Sequence, residues 1–450
     1  MSKRLILILA LVFGLAFYAY AEVQNVKVSG DINVYGIARD NFDLKKGSVG
    51  NKVDDTQSNL QSAVRLKVEA DLTDNVAAVV RLLNERDWSE ENNASTDIDL
   101  DLAYIKLKEF LFSPMTLIIG RQELQYGNGF IVGDPDTNQY AAHFDHNSGT
   151  SASVITAQDL SVRKAFDAIR AILNYDPLVI DLVYAKIDEG TVIGSSSTPE
   201  SDDINLYGAN LAYDFGGDKN TKGELYCFVK DMSSDSDSIT EKGRKTITIG
   251  GKISMNPIKK LMVSAEMAGQ TGNYNKSTRS AMAYQLIANY ALEMKYSPAL
   301  TAIFSHYSGN KDTDFSDGGT YKAWDPMFEN QGTGKIYNAL FSASGANIAE
   351  IRLSMSPLED LLLSLEYSNL WLDKKFESGF TSWTPNEYAT YTVTPGKKFL
   401  GNEIDLVATY NYTEDVQLGL NAGVFMPGKV FDKTNRADAT QVIGSIKVTF

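Results

Sequence analysis

The chain has 450 residues, a formal charge of −15 and a single cysteine, Cys227. That acidity speaks against nucleic acid as a partner, and one cysteine excludes an internal disulfide framework. No long uncharged apolar run follows residue 21, so no helix is expected to span a membrane.

Residues 1–21 read as a targeting segment. Lys3 and Arg4 form its basic start, Leu5 to Phe17 its apolar stretch, and Ala19-Tyr20-Ala21 its small-x-small cleavage site. Residues 22–450 are expected to form one domain. From Val26 onward the chain is a succession of eighteen strand patterns, most with apolar residues at every second position. Val64, Leu66 and Val68 alternate with Arg65, Lys67 and Glu69; Ile404, Leu406 and Ala408 alternate with Asp405, Val407 and Thr409. Successive side chains of a strand point to opposite faces, so each segment has one greasy face and one wetter face.

The connections alternate in length. Short turns are expected at 73–75, 112–114, 176–177, 216–221, 256–258, 297–299, 357–360 and 413–415. Long connections fall at 40–56, 85–96, 128–163, 188–202, 232–243, 273–279, 309–347, 373–398 and 426–437. An all-β transmembrane antiparallel barrel of about 18 strands explains this: short periplasmic turns, long extracellular loops and an apolar outside. Closure removes every sheet edge and satisfies every backbone group in lipid. Eighteen strands give a diameter of roughly 30–35 Å, too wide for wall side chains to fill, so a watery lumen is expected. The few residues between the leader and the first strand leave no room for a globular plug domain. The partners implied are outer-membrane lipid and lipopolysaccharide.

At the far end, Val442, Gly444, Ile446, Val448 and Phe450 share one face. This pattern is similar to the C-terminal strand that the barrel-assembly machinery reads in outer-membrane proteins, which makes that machinery a further expected partner.

Five stretches reach beyond a generic barrel. They are Asn84-Glu85-Arg86-Asp87-Trp88, Gly120-Arg121-Gln122-Glu123-Leu124-Gln125-Tyr126-Gly127, Phe166-Asp167-Ala168-Ile169-Arg170, Ser308-Gly309-Asn310-Lys311-Asp312 and Trp324-Asp325-Pro326-Met327-Phe328. In wording and order they resemble the alginate-export porins of Gram-negative outer membranes, and the resemblance covers essentially the whole mature chain. It implies an eighteen-stranded barrel in the outer membrane that exports a polysaccharide.

The expected pore-lining residues are Arg65, Arg81, Arg121, Glu123, Gln125, Asp167 and Arg170. An arginine fork pairs bidentately with a carboxylate, so each arginine would grip a sugar acid or pair with an acid across the wall, as Arg121 with Glu123. Phase assignment puts nine bases and eleven acids inward, among them Asp101, Asp181, Glu266, Glu350, Glu366, Glu403 and Asp405. This mixed sign weakens a simple polyanion channel and leaves neutral or zwitterionic glycans and small hydrophilic solutes open. Loops 128–163 and 309–347 are long enough to fold inward and narrow the lumen. Trp88, Trp324, Trp371 and Trp383 suit either sugar stacking or plain loop packing.

Cofactors are expected to be absent, with one exception. Asp134-Pro135-Asp136-Thr137-Asn138 mimics the start of a calcium loop, although Gln139 stands where that loop needs glycine. Acidic loop pairs such as Asp54 with Asp55 and Glu90 with Glu91 read as solvated surface or as divalent-cation bridges to lipopolysaccharide. Enzyme signals are thin. His143 and His146 lack a third metal ligand of obvious spacing, and His306 with Ser308 shares a strand phase without a lipase signature. The expected function is therefore passive passage of an alginate-like polysaccharide or other hydrophilic solutes through a loop-gated lumen. The alternatives are a surface barrel that binds a partner with little conduction, or an outer-membrane hydrolase.

Overall fold

The computed structural model describes residues 25–45, 56–88, 98–135, 158–188, 204–232, 244–274, 276–311, 319–330, 334–383, 385 and 390–450. The leader, His143, His146 and the acidic loop pairs lie outside them.

Eighteen antiparallel strands form the wall. In chain order, β1 is Asn25–Asp40, β2 Gln57–Thr73, β3 Val76–Asp87, β4 Asp99–Leu107, β5 Met115–Glu123 and β6 Ala165–Asn174. Next come β7 Leu178–Asp188, β8 Ile204–Gly216, β9 Thr221–Met232, β10 Arg244–Ile258, β11 Leu261–Tyr274 and β12 Ser277–Ala291. The last six are β13 Ala299–Tyr307, β14 Ala346–Leu358, β15 Leu361–Leu372, β16 Phe399–Asn411, β17 Val416–Pro427 and β18 Ala439–Thr449. Each pairs with its neighbour in sequence, and β18 pairs back with β1 from Asp31↔Thr449 to Asp40↔Thr440. The only α-helix among the described residues is the short α1, Ile336–Leu340.

Alternation sorts the faces as expected. Val64, Leu66, Val80, Leu286, Ile351, Leu365, Ile404 and Leu406 are exposed on the outside, where lipid replaces water. Their neighbours Arg65, Arg81, Gln285, Glu350, Glu366 and Asp405 point into the barrel. Phe450 closes the seam through two backbone bonds with Gly30, of 2.8 and 3.0 Å. A Cβ on Gly30 would meet the Phe450 ring at 2.7 Å, so glycine is needed where the terminal ring lies flat on β1.

Several connections differ from the sequence reading, among them the β4–β5 turn, which begins at 108 rather than 112. The stretch 273–279 is a tight hairpin, with Tyr274 paired to Ser277. Its Asn, Lys and Ser composition suggests a loop, but Ser277, Arg279 and Ala281 already carry the inward phase of β12, all nearly fully buried. Strand β10 runs through 256–258 with a bulge between Met255 and Ile258, which moves its turn to residues 259–260. The β12–β13 connection begins at 292, well before the expected 297–299.

Apolar residues from the outer connections form a core inside the outer half of the barrel. Phe42, Leu124, Phe130, Ile131, Val132, Trp324, Phe328, Phe341, Tyr391 and Phe431 are nearly fully buried there. They pack on inward residues of distant strands: Phe328 on Phe166 of β6, Phe130 on Tyr307 of β13 and Phe341 on Phe425 of β17, with ring centroids 6.0, 5.7 and 5.5 Å apart.

Candidate functional site: the lumen and its inward segments

Three of the described inward segments are held by carboxylates. The first leaves β5 and crosses to β9 and β11. Gly127 N–H donates to Glu224 Oε2 at 3.1 Å and Asn128 N–H to Glu266 Oε2 at 3.2 Å. Gly127 and Gly129 have φ of +59° and +71°, and a Cβ on Gly127 would come within 2.5 Å of Glu266 Oε1. The crossing thus requires glycine for both conformation and space. The second segment, residues 158–164, lies on β1, β3 and β4. Glu85 accepts from Val162 N–H at 2.7 Å and from the Ser161 hydroxyl at 2.9 Å, and Asp159 pairs with buried Arg39.

The third segment comprises the described residues 319–330 and 334–345. Asp325 ties it to four strands. Its carboxylate accepts from Thr246 at 2.9 Å and faces Lys230 at 3.4 Å and Arg279 at 3.6 Å. Its main chain exchanges two bonds with the Gln270 amide, of 2.7 and 2.9 Å. Burial pushes the Asp325 carboxyl up, but Lys230, Arg279, the Met327 N–H and the Thr246 hydroxyl outweigh it and hold the group at about 2. Farther on, Glu403 of β16 accepts the N–H groups of Lys335, Ile336 and Tyr337 at 2.7, 3.0 and 2.7 Å, which satisfies the open end of α1.

The acid surplus on the inner wall therefore has a use: Glu85, Glu224, Glu266 and Glu403 hold backbone N–H groups. Three of the five singled-out stretches meet here. Arg170 lies 5.6 Å from the Tyr126 ring, and Val132 bridges to Phe328, itself packed on Phe166.

The expected pore residues are each found beside a carboxylate or in the open lumen. Arg65 pairs with Asp31 at 2.9 Å. Arg81 bonds Asp101 and Glu123. Arg121 pairs with Asp167 at 3.0 Å, so its partner is not Glu123. Gly120, with φ +120°, precedes it directly. Arg170 bonds Asp181 through Nε at 2.6 Å. Gln125 lies just past β5 and is exposed. At the seam, Val442, Ile446 and Phe450 are exposed on the apolar outside, and Val448 shares their phase half-buried.

The weaker expectations resolve differently. Asp134 pairs with Lys164, and residues 136–138 of the calcium-like stretch lie outside the described residues. No group of three or more His, Cys, Asp or Glu side chains among the described residues could hold a metal. His306 Nδ1 bonds Asn347 on the outside, while the Ser308 hydroxyl donates inward to Lys322 O at 2.7 Å, so the two do not form a nucleophile pair. Trp324 and Trp383 are packing residues of the inner core; Trp383 stacks on Phe341 with centroids 5.5 Å apart.

The model of the family described as alginate export matches residues 37–445. The chain belongs to the alginate-export family. Solved porins of Pseudomonas aeruginosa share the fold of this family member at low identity. OpdQ is 12% identical with a TM-score of 0.58, covering 96% of this chain and 99% of that one. OccK11 (OpdR) is 12% identical at 0.57, covering 95% and 97%. OccK2 (OpdF), solved in complex with glucuronate, is 12% identical at 0.54, covering 95% and 99%. A search of curated proteins gave no match. The family and the barrel together make this chain a porin-like protein of the outer-membrane type.

Proposed function

We propose that this alginate-export family barrel sits in a Gram-negative outer membrane and passes sugar acids, up to an alginate-like polysaccharide, by passive diffusion. The inward segments are its gate. The observation that carries this reading is the wall of arginine–carboxylate pairs, Arg65–Asp31, Arg81–Asp101 and Arg170–Asp181, along the lumen that those segments narrow. Each guanidinium stays partly exposed beside its wall carboxylate, so it attracts a solute carboxylate without giving up its partner, and the shared charge keeps binding weak enough for release. The complex of the similar OccK2 barrel with glucuronate supports the solute class.

Purified barrel in a planar bilayer tests it. Glucuronate, and short uronate oligomers, should block the KCl current transiently, and Arg170→Ala should shorten or abolish the blocks. Equal blocking by neutral and acidic sugars, unchanged in Arg170→Ala, refutes the sugar-acid reading. Absence of any conductance would favour a surface-binding barrel.

A further inference from the structure

The outside of the barrel carries a recess that the channel reading does not use. It has a volume of about 400 Å³ and lies across β10 to β13. Its floor is made by Ala265, Ala288 and Ala302, and its sides by Met255, Leu286 and Phe304. All six belong to the apolar, outward phase of their strands, with Leu286 and Leu300 exposed in the same belt. Three alanines side by side leave a dent that lipid must fill, because an empty space in hydrocarbon forfeits dispersion contacts.

Polar groups stand directly beyond the outer end of this dent. Tyr284 and His306 follow Leu286 and Phe304 on the same face, toward the long-loop end. Their rings stack with centroids 4.9 Å apart. His306 Nδ1 lies 2.7 Å from Asn347 Oδ1 on β14. The amide oxygen only accepts, so Nδ1 carries the proton and Nε2 presents a lone pair. Neither that nitrogen nor the Tyr284 hydroxyl has a hydrogen-bond partner among the described residues. From Tyr290, near the short-turn end, to Tyr284 the rise is ~16 Å at the usual strand rise and tilt, within an apolar band ~25 Å tall. The polar cluster therefore lies in the outer part of the bilayer, where an unmet polar group is costly.

We infer that the recess holds one acyl chain of an outer-leaflet lipid A molecule, with its head bonded to His306 and Tyr284. The chemistry selects lipid A over a glycerophospholipid. His306 Nε2 needs a donor at the head of the chain. Lipid A has one there, as an amide N–H or a 3-hydroxyl, whereas a diacylglycerol ester has none. The inference is independent of what passes through the lumen.

Native mass spectrometry of the barrel extracted gently from outer membranes tests it. Wild type should retain one lipid A per chain. Ala302→Phe, which fills the dent from outside the wall, should lower that occupancy at least tenfold. His306→Phe should lower it several-fold while keeping the ring. Heat-modifiable migration on gels checks folding, and wild-type barrel treated with a photoreactive lipid A should be labelled within 299–307. Equal retention in wild type and Ala302→Phe, a glycerophospholipid in place of lipid A, labelling elsewhere, or a dimer that disappears with Ala302→Phe would each overturn the assignment.

Discussion

Removing the charge of Asp325 should loosen the third inward segment by a calculable amount. The group is held at about 2 against an ordinary 3.8, and each pKa unit is worth ~1.4 kcal/mol. Charged Asp325 thus favours the docked segment by roughly 2–3 kcal/mol, on the order of 60-fold in the docked-to-displaced ratio. Asp325→Asn keeps the shape and the main-chain bonds to Gln270 but loses this attraction to Lys230 and Arg279. In single-channel records, the ratio of high- to low-conductance dwell time should rise on the order of 60-fold. The pH dependence has a definite sign. A depressed carboxyl gives its full stabilisation above 3.8 and loses it as pH falls through about 2. Wild type should therefore show no step from this group between pH 4 and 7 and should open on further acidification, whereas Asp325→Asn should lack that acid step. An unchanged dwell ratio in a folded Asp325→Asn barrel refutes the view that this carboxylate pins the segment.

Gly127→Ala places a Cβ where Glu266 Oε1 lies 2.5 Å away, at a φ of +59°. It should cost about 1–2 kcal/mol of the first inward segment's docking and raise the mean conductance, read in bilayers. Phe450→Ser should lower the yield of heat-modifiable barrel in the outer membrane; wild-type yield would count against the terminal ring as an assembly element. In a Cys227→Ser background, an impermeant thiol reagent on intact cells should label Thr320→Cys and spare Lys260→Cys, and the reverse pattern would invert the barrel. Arg121→Ala with Arg170→Ala should reduce anion preference in reversal potentials at low salt; an unchanged cation preference would shift the selecting field to Glu123 and its acidic neighbours.

The wall was legible because a strand writes its two faces into the sequence at a period of two. Arg81 between Val80 and Leu82, and Glu266 between Ala265 and Met267, are inward for that reason alone. The inner core was not legible. Leu124, Phe130, Ile131 and Val132 lie in a connection with no period to betray their partners, and Phe328 reaches them from nearly two hundred positions away only through the closed wall. Arginine partners were partly hidden for a related reason. Cross-strand neighbours depend on register, and register put Asp167 rather than Glu123 opposite Arg121. The Tyr284–His306–Asn347 cluster combines three strands, and only the pairing of His306 with Asn347 brings the last of them in.

The seam between β1 and β18 divides the folding problem unevenly. Every other pairing in the wall joins strands adjacent in the chain, so each forms as a hairpin with a modest closure cost. The seam alone joins partners such as Arg39 and Gln441, 402 positions apart, whose side chains bond at 2.8 Å. Closure entropy grows only slowly with loop length, but it must be met before the seam contributes anything. A chain with seventeen ladders made is thus still an open sheet with two bare edges. Its last ladder is the one on which circularity, and with it protection from edge-to-edge association, depends.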